Sequence, residues 1–414
     1  MLPNQETECR PLTTDSLPAM PIATQFSPKQ TADVVIIGGG VIGLTIARAL
    51  ALKGMRNAIL FERAGVGTEA SFAAAGMLAP QAEADARDDF FRLACRSRDM
   101  YASFAAALHE ETGIDIELDT TGTLYLAFTE HDQEEIGKRY DWQKRAGLAV
   151  EKLSAFEARE LETCIAPSLL AALRFPQDVQ VENRRLLSAL ANSIQRLAVK
   201  TITETTVNSL CIGDGRLTGV ETSRGFVGCP TVIVASGSWT SFIGVSCEGS
   251  NDGKSLPPLP MVRIEPVRGQ MVCFDSKPQL TRHVIYSPRG YIVPRRDGRL
   301  LAGSTSEVAG FDREVTTSGI GSIVNNAREI APGISDLPMI DSWAGLRPRA
   351  ADGLPVLGPC DEIEGLFYAT GHYRNGILLA PITGELIAQA VIDRVVSPSL
   401  VPFSPNRFDT VAVT

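Results

Sequence analysis

The most constraining feature of the chain is Gly38-Gly39-Gly40-Val41-Ile42-Gly43, set between two segments of different periodicity. Before it, Val34-Val35-Ile36-Ile37 is a short continuous apolar run, the pattern of a strand buried on both faces. After it, Leu44, Ala47, Leu50 and Ala51 recur at helical spacing. Ala58-Ile59-Leu60-Phe61 then reads as a second strand ending at Glu62. In such a strand–turn–helix unit Gly38 permits the tight turn. Gly40 lets backbone approach a pyrophosphate, and Gly43 lets helix and strand pack closely. The helix N-terminus offers amides and a positive dipole end to phosphate. Glu62, 19 residues after Gly43, is placed to accept from a ribose hydroxyl. The pattern predicts a dinucleotide site. It fits FAD and NAD alike and disfavours NADP, whose 2′-phosphate Glu62 would repel.

Similar strand and helix patterns return at 180–240 and 340–395, with mixed α/β material between them. Helices are expected over 82–112, 132–146, 154–162, 184–199 and 317–331. Strands are expected at Thr123–Phe128, Val207–Ile212, Gly219–Thr222, Thr231–Ala235, Gln270–Phe274, Gly290–Pro294, Leu300–Ala302 and Leu366–Ala369. A last helix follows from about Gly376. The expected fold class is α/β: a Rossmann-like nucleotide domain assembled from discontinuous segments 31–82, 175–245 and 340–398. An α+β substrate domain of mixed or antiparallel sheet, 83–174 and 260–339, is inserted in it. Residues 1–30 and 399–414 are expected as tails, and the Gly-, Ser- and Asn-rich stretch 246–260 as a loop.

Charge and cysteine content exclude other classes. With 39 Lys and Arg against 48 Asp and Glu, the net charge is −9 and no basic block appears, so nucleic acid is not an expected partner. No apolar run approaches a bilayer span of about 20 residues. The eight Cys form no C-x-x-C pair, which argues against zinc or a disulfide framework and fits reduced thiols in the cytoplasm. His109, His131, His283 and His372 are scattered, so no metal is expected; His109 and His131 read as solvated.

Three further stretches carry a resemblance: Ser71-Phe72-Ala73-Ala74-Ala75-Gly76-Met77-Leu78-Ala79-Pro80, Trp343-Ala344-Gly345-Leu346-Arg347-Pro348 and Gly371-His372-Tyr373-Arg374-Asn375-Gly376-Ile377-Leu378-Leu379-Ala380-Pro381. With the glycine turn, they resemble the glycine oxidases of thiamine biosynthesis, in the D-amino-acid oxidase superfamily of FAD-dependent amine oxidases, over about 32–395. The resemblance implies that the nucleotide domain binds FAD. Val41 and Ile42 would meet the pyrophosphate, and Glu62 and Arg63 the adenosine end. Ala70, Ser71, Ala75, Gly76 and Met77 would line the flavin, and Val207 would hold the adenine through its backbone. His372, Tyr373, Arg374, Asn375, Gly376, Ile377 and Leu378 would wrap the isoalloxazine. Gly237, ending the strand at Thr231–Ala235, joins the cofactor set. The turn at Gly371 also offers amides that suit negative charge on a reduced flavin. Some relatives attach flavin through a Cys near this Arg347 region; 343–358 contains none, so non-covalent FAD is expected.

The same resemblance assigns the substrate groups. An amino-acid carboxylate suits the planar fork of Arg. Arg347 corresponds to the carboxylate-binding Arg, Arg374 to a second active-site Arg, Tyr291 to a pocket hydrogen-bond donor, and Met77 packs against flavin or substrate. Arg289 and Ser306 replace the His and Met of well-known members at positions expected to border the pocket, which bears on substrate range. The implied reaction is hydride transfer from the amino-acid α-carbon to flavin without a protein base, then reoxidation by dioxygen to hydrogen peroxide. The imine yields glyoxylate or passes to a thiazole synthase. A homo-oligomer, tetramers included, is expected. The alternatives are a D-amino-acid dehydrogenase or sarcosine-oxidase-type flavoenzyme and, in another class, a flavin-binding module without turnover.

Overall fold

The computed structural model describes residues 30–247 and 262–408. The tail expected at 1–30 therefore lies almost wholly outside the described residues, as do 248–260 of the expected loop, 261 and 409–414. The strand Gly244–Cys247 runs two residues into that loop.

The apolar run at 34–37 forms the centre of a six-stranded sheet. Its order is Val356–Pro359, Leu366–Thr370, Val232–Val234, Val34–Ile37, Ala58–Phe61 and Lys200–Ile202. Every neighbouring pair is parallel except the first, which is antiparallel. Period-two alternation splits the side chains between two cores. Val34 and Ile36 pack with the helices Val41–Leu52, Asp89–Thr112, Asn183–Arg196 and Gly376–Ile392. Val35 and Ile37 pack with Leu210, Val220 and Val227 of a four-stranded sheet on the opposite face. This is the continuous apolar pattern of a strand covered on both sides.

The second half is an eight-stranded sheet in the order Met339–Ala350, Ile264–Asp275, Arg299–Gly303, Gly290–Pro294, Val284–Ser287, Thr123–Ala127, Ala171–Phe175 and Glu151–Ser154. Thr123–Ala127 and Val284–Ser287 pair in parallel; the other neighbours are antiparallel. One face packs on the helix Thr317–Ile330 through Val272, Ile292, Leu300, Ile323 and Ala327. The other face carries Met271, Tyr286 and Tyr291 and forms one wall of a large cavity.

Three expectations differ from the structure. The boundary expected at 340 falls inside the strand Met339–Ala350, which pairs along most of its length with Ile264–Asp275. Arg347 is thus carried by the eight-stranded sheet. The helix expected over 82–112 is two helices, Pro80–Glu83 and Asp89–Thr112, because the Asp88 carboxylate accepts from the Phe91 amide at 2.7 Å and starts the second one. The tail expected from 399 begins with the 3-10 turn Pro398–Phe403, whose Leu400 and Phe403 are each 1% exposed in the helix-side core.

Candidate functional site: a cleft between the two sheets

The two halves enclose a cavity of about 480 Å³. One end is built by the glycine turn. The helix Val41–Leu52 starts at Gly40 without a side-chain cap, and Gly40, Val41 and Ile42 line the space before it. A Cβ on Gly43 would stand 1.9 Å from the Gly38 carbonyl oxygen. This position needs glycine for helix–strand contact, so Gly43 lies behind the turn and off the cavity surface. The Ser71 hydroxyl accepts from the Val41 amide at 3.0 Å, joining the turn to the short helix Ala70–Ala73.

Glu62 ends its strand as the sequence predicts and is 8% exposed. Its carboxylate accepts from the Gly39 amide at 2.7 Å and the Ala64 amide at 2.9 Å. Burial raises its pKa, and the two amides oppose the rise. Arg63, Val207 and Gly237 line the same end.

The middle and far end hold the other expected residues. Ala70, Ser71, Ala75, Gly76, Met77, Tyr291, Arg347 and the run from His372 to Ile377 all line the cavity. Leu378 does not: it is buried in the helix-side core, and its carbonyl accepts from the Ser97 hydroxyl. His372 is 4% exposed, and its Nε2 lies 3.1 Å from the Thr383 hydroxyl. Burial pushes its pKa down to about 3, so the imidazole is neutral.

The two arginines are in different states. Arg374 pairs with Glu83 at 3.1 Å, and the Tyr286 hydroxyl donates to the same Glu83 oxygen at 2.6 Å. Arg347 donates to the Thr305 carbonyl at 3.0 Å and the Ser304 hydroxyl at 2.7 Å. No described Asp or Glu forms an ion pair with it. A cation held by neutral oxygens at a cavity wall is primed for an anionic ligand. Beside it the Tyr291 hydroxyl has the Met271 sulfur as partner at 3.3 Å. Thioether sulfur is a weak acceptor, so little is lost when the hydroxyl turns to a better one.

Arg289 and Ser306 do not line the cavity, contrary to expectation. Arg289 turns outward to Glu329 of the helix Thr317–Ile330 at 2.6 Å. Ser306 is exposed. His109 and His131 are exposed, as expected, and His283 is buried against Glu162. Among the described residues no cluster of metal-binding side chains occurs, and no helix is long and apolar enough to cross a membrane.

Some residues that shape the cleft carry no sequence signal. Glu83, Tyr286, Trp239 and Gly269 line it. Gly269 lies under the Arg347 side chain: a Cβ there would stand 2.2 Å from the guanidinium. Only the register of the two strands, with Gly269 opposite Gly345, brings it there.

Residues 33–390 match the family model described as FAD dependent oxidoreductase. A glycine oxidase of Geobacillus kaustophilus is 37% identical over 377 residues, 91% of this chain and 97% of that protein. The bifunctional protein ThiO/ThiG of Synechocystis is 36% identical over 387 residues; the match covers 92% of this chain and 54% of that longer protein. The crystal structure of glycine oxidase from Geobacillus kaustophilus superposes with a TM-score of 0.83 at 35% identity, covering 92% of this chain and 99% of that one.

Proposed function

The chain belongs to the family of FAD-dependent oxidoreductases, and on that premise we propose that it is a glycine oxidase. The observation that carries the reading is Arg347, a cation without a carboxylate partner among the described residues, facing the same cavity as the glycine turn.

The residues fit FAD. The uncapped helix end at Gly40–Ile42 suits a pyrophosphate, Glu62 a ribose, and the turn from His372 to Ile377 the flavin ring. The cavity lining contains no Cys among the described residues, in keeping with non-covalent FAD. Bound FAD supplies a two-electron acceptor that dioxygen reoxidises with release of hydrogen peroxide.

The protein groups bind and orient. Arg347 takes the glycine carboxylate through its fork, and Tyr291 donates a second hydrogen bond. Met77 and Tyr286 wall the space. Arg374, held by Glu83, lends positive charge without being the first anchor. His372 stays neutral and takes no proton. The substrate amine must therefore arrive deprotonated, and catalysis is mainly alignment. Oxidation removes two electrons and two protons from glycine; water converts the imine to glyoxylate and ammonia.

The imine also suits hand-over to a thiazole-forming enzyme. The bifunctional ThiO/ThiG relative, one chain with two activities, supports this. A homo-oligomer working in the cytoplasm completes the reading.

The test is to purify the protein with its flavin and add glycine in air. Peroxide release at the rate of glycine loss is expected. Bleaching of the flavin without oxygen turnover would point instead to a dehydrogenase. No bleaching with glycine, sarcosine or D-alanine would overturn the enzymatic reading.

A further inference from the structure

The segment 304–316 joins the strand Arg299–Gly303 to the helix Thr317–Ile330, yet it reaches the opposite half of the molecule. Its root is anchored to the eight-stranded sheet. Arg268, 7% exposed, donates to Glu307 at 2.9 Å and also pairs with Asp312. Gln270 donates to Glu307 at 2.7 Å and to the Thr316 hydroxyl at 3.0 Å, and accepts from the Thr316 amide at 2.8 Å.

From that base two side chains extend to the nucleotide half. The Phe311 ring lies 4.6 Å from Trp239 and 4.9 Å from Phe242, centroid to centroid. Arg313 donates to Glu69 at 3.0 Å. The other Glu69 oxygen pairs with Arg63, whose guanidinium carbon stands 3.5 Å over the Trp239 ring. Trp239, Arg63 and Glu69 line the cavity; Phe311 and Arg313 do not. Glu62 precedes Arg63 directly, so this is the adenosine end. The first residues of the segment, Ser304 and Thr305, hold Arg347.

We propose that segment 304–316 is a strap that retains FAD by its adenosine half. Phe311 and Arg313 are positioning residues: they fix the Trp239–Arg63 stack and its Glu69 counter-charge against the adenosine. The proposal rests on the FAD reading. A wild-type protein that binds no FAD would defeat that reading, whereas the strap is judged only by variants compared with a wild type that binds.

Apoprotein is titrated with FAD, AMP and FMN, and flavin release from holoprotein is followed by fluorescence after dilution. Phe311→Ala and Arg313→Ala should each weaken FAD and AMP about tenfold, the scale of one lost ring or charged contact, while FMN binding stays near wild type. Phe311→Tyr should restore AMP affinity. FAD and AMP affinities unchanged in both alanine variants would overturn the strap. So would equal weakening of AMP and FMN, which reports general loosening.

Discussion

At the scale of single residues, Arg347 depends on what it lacks. Its guanidinium is held by a carbonyl and a hydroxyl, so on the proposed reading a substrate carboxylate would be its charge partner. Arg347→Met should raise the KM for glycine about 100-fold, equivalent to about 2.7 kcal/mol for a lost charged pair, with the flavin spectrum retained. Flavin loss instead would show that the carboxylate site is misplaced. Gly269→Ala should move KM in the same direction, because the added methyl would occupy the position of the guanidinium. The sequence marks Arg347 as a candidate, and the structure sets it on the cavity wall; it leaves Gly269 silent, because a cross-strand register is not written in local periodicity. The same scale fixes a pH dependence. With His372 held neutral by burial, its pKa about 3, no imidazole in the cleft titrates near neutrality. The rising limb of kcat/KM should follow the substrate amine and shift when a less basic amine replaces glycine. A limb that stays put with every substrate would reveal an enzyme base.

At the scale of elements, the strand–turn–helix at 34–52 was legible because one period gives way to another at a glycine turn. The helix break at 84–88 was less so, since it depends on the Asp88 side chain capping the helix that follows. Tertiary anchors between elements were hidden altogether. Glu162 ends the helix Ala155–Leu161 and binds the turn before the strand Val284–Ser287. It accepts from the Arg282 amide at 2.9 Å and the His283 amide at 2.7 Å, and meets the His283 ring at 2.6 Å. Burial alone would raise the Glu162 pKa, but the hydrogen bonds outweigh it and the carboxyl is lowered. A lowered carboxyl stabilises the fold above its unfolded pKa, about 4.3, and loses that contribution as pH falls through the folded value. Glu162→Gln should therefore cost about 2 kcal/mol at neutral pH. The gap to wild type should close in acid, as measured by denaturant midpoints. A gap independent of pH would mean that shape, not charge, is what Glu162 supplies.

At the scale of the whole molecule, the division expected from the sequence breaks the chain at 340, inside a strand. That strand, Met339–Ala350, takes its pairing from Ile264–Asp275, far away in sequence, so no local pattern assigns it. Its placement has a consequence for stability. The cavity takes Gly40, Val41 and Glu62 from one half and Met271, Tyr291 and Arg347 from the other. A ligand filling it binds both halves and binds nothing comparable in the unfolded chain. FAD at 100 times its Kd should therefore add about 2.7 kcal/mol to the free energy of unfolding. At roughly 1 °C per kcal/mol for a chain of 414 residues, whose unfolding entropy grows with length, the Tm should rise by about 3 °C over apoprotein. Because the bound group ties the lobes, calorimetry should also show a sharper single transition with FAD and a broader or divided one without it. AMP, confined to the nucleotide end, should raise the midpoint of that lobe without merging the transitions. A full FAD-like effect from AMP would mean that the dinucleotide stabilises only one lobe, and that the two sheets are held together by their own contacts alone.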